Sequence, residues 1–416
     1  MLRPRTAGPA TLAAVLSLSL ALAGCGGGGG GVQVGGDDGE MTGELVVWHY
    51  YDEGSGGLQP FVKTWEERFE KANPEVDVKF EYVPYDQMAS KVISAAAAGK
   101  TADVILTAAP WVPEMVKAGA VREIGDRWDK FPDKGLFPEK VEEGGILQGK
   151  RYAVQAFANI EGVYYNKTIL DKIGAAVPTN LDELEAAMAK AAEAGYTPFT
   201  TAAPTGAGGE FNAVPWLASN GWSYTDAGAA SAKQTLQRIQ TWRDRKWLSP
   251  NDASGFNAGK NFTTGRYAFA QEGNWMLGTF KKDLTFEWGV TPLAGHDKAL
   301  IGGESLTVGG RTEKPALAWK FIADTFLSEQ GGIDAAEAGS VPLRSDVADQ
   351  DVVTKDVNLS AFTKIAAASI AAPMVPNTGK VSDAIGGAWN ELIAGRIDAD
   401  AAADRIAEQV PPLLAD

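Results

Sequence analysis

The chain of 416 residues contains one cysteine, Cys25, and two histidines, His49 and His296. A single thiol excludes an internal disulfide and a cysteine-built zinc site, and two histidines exclude a histidine-rich metal centre. Basic residues are also scarce: 38 Lys and Arg stand against 53 Asp and Glu, for a net charge of −15. So acidic a chain lacks the basic face that nucleic acid requires, and it has no electrostatic affinity for anionic lipid. The Gly-x-Ser-x-Gly elbow and the Gly-x-x-x-x-Gly-Lys-Ser/Thr loop are missing, and no Gly-x-Gly-x-x-Gly fingerprint occurs outside a polyglycine run. Carboxylates are abundant, but no pair of them stands out as an acid and base, so nothing points to catalysis or to a cofactor.

What is present begins with a tripartite start. Arg3 and Arg5 precede an uncharged apolar run from Leu12 to Ala23, which is too short to span a bilayer, a task that takes about 20 apolar residues. Residues 1–24 therefore read as a signal peptide. Leu22-Ala23-Gly24-Cys25 resembles a lipobox, in which the thiol of Cys25 accepts a diacylglycerol. Loss of residues 1–24 removes two arginines and no acid, which takes the charge from −15 to about −17. Six glycines follow Cys25, and residues 25–43 are a tether with no apolar surface to bury. The expectation is a monomer lipid-anchored at the extracellular face of the cell membrane, in contact with the membrane through the anchor alone.

The body of roughly 370 residues exceeds one typical domain. Leu45–Trp48 is a short buried strand that runs into a His49–Asp52 loop. Phe61, Trp65 and Phe69 share a helical face, and Val76, Val78, Phe80 and Tyr82 alternate with charges as a strand should. A helix from Tyr85 to Ala98 and a strand at Asp103–Leu106 complete β-α-β-α-β, the signature of a parallel sheet. The pattern then restarts, with strands at Tyr152–Val154, Gly162–Tyr165 and Arg266–Ala270. Helices are predicted after a Thr179/Asp182 capping box, around Leu236–Trp242 and over Pro315–Leu327, with two short ones within 383–413. The fold class is α/β in two lobes, each a mainly parallel sheet flanked by helices, with ligand-binding loops at the carboxyl ends of the strands.

Ordered segments along the body carry a family likeness. They are Leu45–Trp48, Phe69–Pro74, Ala98–Val104, Gly149–Tyr152, Gly162–Lys167, Val177–Leu184, Phe262–Ala268 and Gly302–Ser305. With a lipobox ahead of them, the chain resembles the maltose-binding-protein-like, family 1 extracellular solute-binding proteins of ABC importers. The resemblance implies a periplasmic-binding-protein fold with the ligand in a cleft between two discontinuous lobes. These are 44–158 with 300–348, and 159–299 with 349–416, crossing near 157–162, 298–303 and 345–352. It also implies capture of a sugar or oligosaccharide without chemistry, and delivery to ABC permease subunits.

Carried over residue by residue, the resemblance and the loop positions mark a candidate site. Asp52 occupies a position where the family accepts ligand hydroxyls, though it suits a helix cap equally. Of Tyr50 and Tyr51, one is a stacking group and the other core. Trp111 follows the 103–106 strand. Asn159 replaces an acid of the maltose binders, and Glu210, Phe211 and Asn212 lie in an expected loop before Pro215-Trp216. Trp275 matches a stacking aromatic, and a Trp in a Gly-Asn loop makes a poor core residue. Gly303 and Glu304 stand at a crossing, where Glu304 contacts ligand or forms a hinge salt bridge. Ser382 falls near the family's last stacking position without being aromatic, so a second platform is expected to be absent. Aromatic and amide loops favour a neutral sugar. The alternatives are a polyamine, peptide, phosphate ester or osmolyte, and after these a secreted glycoside-acting enzyme.

Overall fold

The computed structural model describes residues 40–51, 57–228, 230–249, 252, 258–293 and 298–415. Cys25, Asp52 and the tether as far as residue 39 lie outside the described residues, and Gly43, expected at the end of the tether, opens the first strand instead. The first sheet has the order β12-β3-β1-β2, built from β1 (Gly43–His49), β2 (Val76–Tyr82), β3 (Val104–Ala108) and β12 (Glu304–Val308). The first three strands are parallel, with Val47 of β1 level with Phe80 of β2 and Val104 of β3. Val76 and Val78 are buried while Asp77 and Lys79 are exposed, so the alternation read from sequence is the pleat itself. All five residues of β3 are buried, because it is flanked on both sides and covered on both faces. β12 arrives from some 200 positions along the chain and runs antiparallel to β3, pairing Ser305 with Thr107.

The second sheet, ordered β10-β7-β9-β8, consists of β7 (Glu161–Asn166), β8 (Thr197–Thr200), β9 (Tyr267–Gly273) and β10 (Trp288–Thr291). Only β8 and β9 are parallel; β7 is antiparallel to both of its neighbours. The two-lobed α/β class stands, but the second sheet departs from the mainly parallel expectation. Buried runs encode which residues face the core and carry no information on strand direction. Here direction follows from the need to bring the end of β9 back beside the start of β7, where Gly273 pairs with Glu161.

Short ladders lie beside the crossings. β6 (Phe157–Ala158) pairs with β13 (Val341–Pro342), and β11 (Leu300–Ile301) pairs with β14 (Ile370–Ala371). Between them Asn159 and Gly302 exchange both backbone hydrogen bonds, at 3.0 and 2.9 Å. The expected strand at Tyr152–Val154 is instead a hairpin of β4 (Ile146–Leu147) and β5 (Lys150–Arg151), turned by Gln148 and Gly149 at positive φ; Val154 makes only a bridge to Leu306.

Local signals placed most helices, with shifts at their ends. The cap of helix Leu181–Glu193 is Asn180, not Thr179: its Oδ1 accepts from Glu183 N–H at 2.9 Å, while the Glu183 carboxylate reaches back to Thr179 N–H at 2.7 Å. Helix Pro315–Phe321 runs into a π-helical turn at Ile322–Phe326. The C-terminal pair, Thr378–Ile393 and Ala399–Leu414, has 16 residues in each helix, longer than expected. Residues 210–212, expected in a loop, lie inside helix Gly206–Ser219, which tolerates Pro215 within it. That helix packs closely on a partner. A Cβ on Gly386 would sit 2.2 Å from Gly206 O, and one on Gly209 would sit 2.7 Å from Gly386 Cα, so helices Gly206–Ser219 and Thr378–Ile393 touch backbone to backbone.

Candidate functional site

A cavity of about 790 Å³ opens at the carboxyl ends of β1, β3 and β9, within the usual size range of small-molecule sites. Tyr50, Tyr51 and Tyr85 line it from the first lobe. Glu210, Phe211, Glu272 and Trp275 line it from the second, and Asn159, Gly302, Gly303 and Glu304 come from the crossing strands. Lys260 is the one basic lining residue among the described residues.

The aromatic groups form two opposed walls. The rings of Phe211 and Trp275 lie 6.0 Å apart at 36°. The Trp275 indole covers Gly273, where a Cβ would come within 2.0 Å of the ring, and its N–H donates to Glu272. Across the cavity Tyr50 meets Tyr85 edge-on at 5.2 Å and Tyr51 at 5.8 Å. Such faces suit the apolar C–H surfaces of a flat polar ring.

Between the walls stand buried polar groups, several of them unanswered. Glu304 is 2% exposed, and burial pushes its carboxyl up to about 8 against the pull of an Asn159 hydrogen bond. Glu304 Oε2, Asn159 Oδ1 and the Tyr51 hydroxyl have no partner among the described residues. Buried polar atoms are normally hydrogen-bonded, so these three are poised for groups brought by a ligand. Glu210 is raised to about 7 by burial, opposed by hydrogen bonds from Ser382 (2.5 Å) and Tyr224 (2.8 Å). Burial raises Glu272 to about 7 as well, although it accepts from Gly259 N–H at 2.8 Å and Gly273 N–H at 3.0 Å. Among the described residues no cluster of three or more His, Cys, Asp or Glu could hold a metal ion.

The fold has known counterparts. The model of the bacterial extracellular solute-binding protein family matches residues 64–361. The chain belongs to that family. It is a solute-binding protein rather than an enzyme, in the two-lobed periplasmic-binding-protein fold. A maltotriose-binding protein of Pyrococcus abyssi is 26% identical over 377 residues, covering 86% of this chain and 79% of its own. A protein of Brucella abortus named only as a binding protein is 22% identical over 85% of this chain and 90% of its own. Among solved structures, the GacH receptor of Streptomyces glaucescens, studied unliganded and with acarbose, superposes with a TM-score of 0.80. It shares 21% identity and covers 91% of this chain and 100% of its own. The maltose-bound MalE3 of T. maritima gives 0.78 at 21% identity, covering 90% and 100%.

In this solute-binding protein the sequence-derived candidates separate into three groups. Tyr50, Tyr51, Asn159, Glu210, Phe211, Trp275, Gly303 and Glu304 all line the cavity. Tyr51 is the more core-like of the tyrosine pair, packed edge-on against Trp65 at 6.2 Å. Gly303 has φ +127°, and a Cβ there would meet Phe157 O at 2.5 Å, so the close crossing requires glycine. No cation forms a salt bridge with Glu304 among the described residues, which removes the hinge ion pair as an account of it.

Trp111 and Asn212 do not reach the cavity. Trp111 backs Tyr85 at 4.7 Å, because its short helical turn points it behind the wall. Asn212 is buried, and its side chain bonds back along its own helix to Gly208 O at 2.9 Å. Asp52 and Cys25 lie outside the described residues. Ser382 is buried against Glu210 and offers no platform; Phe211 lies beside Trp275 on the same wall and extends its aromatic face. Sequence reasoning misses Tyr85 and Glu272 as site residues, although both lie at or just past the carboxyl end of a strand, and that position is the signal that marks them.

Proposed function

We propose that this protein is the substrate-binding component of an ABC importer that captures a neutral sugar or oligosaccharide and hands it to permease subunits. One observation carries the reading: a cavity walled by Phe211 and Trp275 on one side and Tyr50, Tyr51 and Tyr85 on the other, with the unpartnered acceptors of Glu304 and Asn159 between them. Aromatic faces take the C–H surfaces of a pyranose, and buried acceptors take its hydroxyl protons. A Glu304 held neutral near pH 7 can also donate, which suits hydroxyls that both give and receive. Phosphorylated ligands are disfavoured, since they would demand arginine or several lysines where, among the described residues, only Lys260 is found. The names of relatives that bind maltotriose and maltose agree with this assignment.

The proposal extends to location. Cleavage before Cys25, lipidation of its thiol and the polyglycine tether would hold the binding protein at the outer face of the membrane as a monomer beside its permease. Isothermal titration of the purified protein with maltose, maltotriose and other neutral oligosaccharides, beside polyamines, amino acids and sugar phosphates, tests the ligand class. Binding confined to the non-sugar group would overturn it.

A further inference from the structure

Asn274 is fully buried between Gly273 and the cavity-lining Trp275, and its amide is used on both sides. Its Oδ1 accepts from Ile160 N–H at 2.6 Å, and its Nδ2 donates to Gly339 O at 2.8 Å. The Asn274 backbone N–H adds a third bond, to Ile160 O at 3.1 Å. The partners dictate the amide's orientation, because an N–H can be answered only by the oxygen and a carbonyl only by the nitrogen. Gly339 comes this close because it is glycine: at φ +90° a Cβ would sit 3.0 Å from Asn274 O and 2.9 Å from Leu277 Cβ.

The three segments tied by this one residue belong to different parts of the molecule. Asn274 follows β9 of the second sheet directly, and Ile160 lies on the crossing between β6 and β7. Gly339 follows helix Glu329–Glu337, which the first lobe holds through Asp334: this carboxylate accepts from Arg68 at 2.6 Å and from the Trp65 indole at 2.9 Å. The bond from Asn274 to Gly339 therefore joins the second lobe to the first, directly beside the crossing. In addition, each tied segment places its neighbouring residue on the cavity: Asn159 before Ile160, Trp275 after Asn274 and Ser340 after Gly339.

We infer that Asn274 is a positioning residue that sets Asn159, Trp275 and Ser340 in one frame and links seating of the ligand to the angle between the lobes. The inference rests on the ligand-binding reading above. Neither hydrogen-bond partner of Asn274 touches the cavity through its own side chain, so the effect of Asn274 on the ligand is transmitted through backbone placement. A hinge closes as rigid bodies about a few such points, and a bond that spans the crossing biases which angle is favoured.

The test uses the full chain with Asn274→Asp, which keeps the acceptor for Ile160 and loses the donor to Gly339, and Asn274→Ala, which loses both. Calorimetry with maltotriose, thermal midpoints, and radii of gyration from X-ray scattering with and without the sugar are compared with wild type. Both variants are expected to bind about tenfold more weakly, with a larger unliganded radius and a smaller contraction on adding sugar. Folded variants with unchanged affinity and contraction would overturn the inference. Should the variants fail to fold, hydrogen exchange on the wild type decides: segments containing Ile160, Asn274 and Gly339 should gain protection together, and protection confined to 272–275 would refute the link. If wild type binds none of the sugars, the ligand reading falls, and Asn274 is still judged by the unliganded radius alone: larger in the variants supports the link, unchanged refutes it.

Discussion

Gly386 and Gly387 are adjacent in helix Thr378–Ile393, and the structure assigns them opposite responses to alanine. A Cβ on Gly386 would lie 2.2 Å from Gly206 O and 2.9 Å from Glu210 N, whereas one on Gly387 meets only the tip of Arg405 at 3.9 Å. Ordinary contact begins near 3.4 Å, so Gly386→Ala forces the two helix backbones apart by about 1 Å. Overpacking of that kind costs about 1–3 kcal/mol, more where the obstacle is backbone. Gly387→Ala instead gains about 0.5–1 kcal/mol by removing glycine's unfolded-state freedom from a helix interior. With an unfolding entropy of about 2.1 cal/mol/K per residue, a body of roughly 370 residues shifts by about 1.3 °C per kcal/mol. Calorimetric scanning should therefore place Gly386→Ala up to about 4 °C below wild type and Gly387→Ala about 1 °C above it. Because the displaced helix carries the cavity-lining Glu210 and Phe211, Gly386→Ala should also weaken binding of the proposed sugar ligand, while Gly387→Ala leaves it intact. Shifts of the same sign in both variants would refute the packing argument.

If the proposed sugar is the ligand, removing the aromatic face with Trp275→Ala should weaken its binding by roughly 30-fold or more, the loss expected of a central aromatic anchor, as read by titration calorimetry. Burial raises Glu304 to about 8 and Glu210 and Glu272 to about 7 from an ordinary 4.5, so the folded state holds protons that the unfolded chain has released. Their contribution is complete below pH 4.5 and is lost as pH rises through those folded values; the thermal midpoint should fall between about pH 4.5 and 8, less steeply in Glu304→Gln. Replacing Cys25 by alanine in the full chain should move the protein from the membrane fraction to the medium on cell fractionation; retention on the membrane would count against the lipid anchor.

Much of the site is legible in the amino-acid sequence because position along a strand already limits what a side chain can reach. Trp275 stands out as a large apolar ring in a Gly-Asn loop at a strand end, and the fold places it on the cavity. Glu210 and Phe211 are legible as residues but not in their setting. A Gly-rich stretch with a proline reads as loop, whereas in the fold it is a helix packed backbone to backbone on Gly386. Asn212 and Trp111 illustrate the converse, being polar or aromatic neighbours of true lining residues turned aside by helical geometry.

The sequence by itself determined the alternation of strands and helices, the two-lobed α/β class and most helix positions. Caps, turns and buried faces act over a handful of residues, and their signals lie next to one another in the chain. Tertiary structure alone decided the antiparallel direction of β7, the meeting of Phe211 and Trp275 on one wall, and the tie from Asn274 to Ile160 and Gly339. Those features join positions that no local pattern relates, and they form only when packing closes the long loops between them.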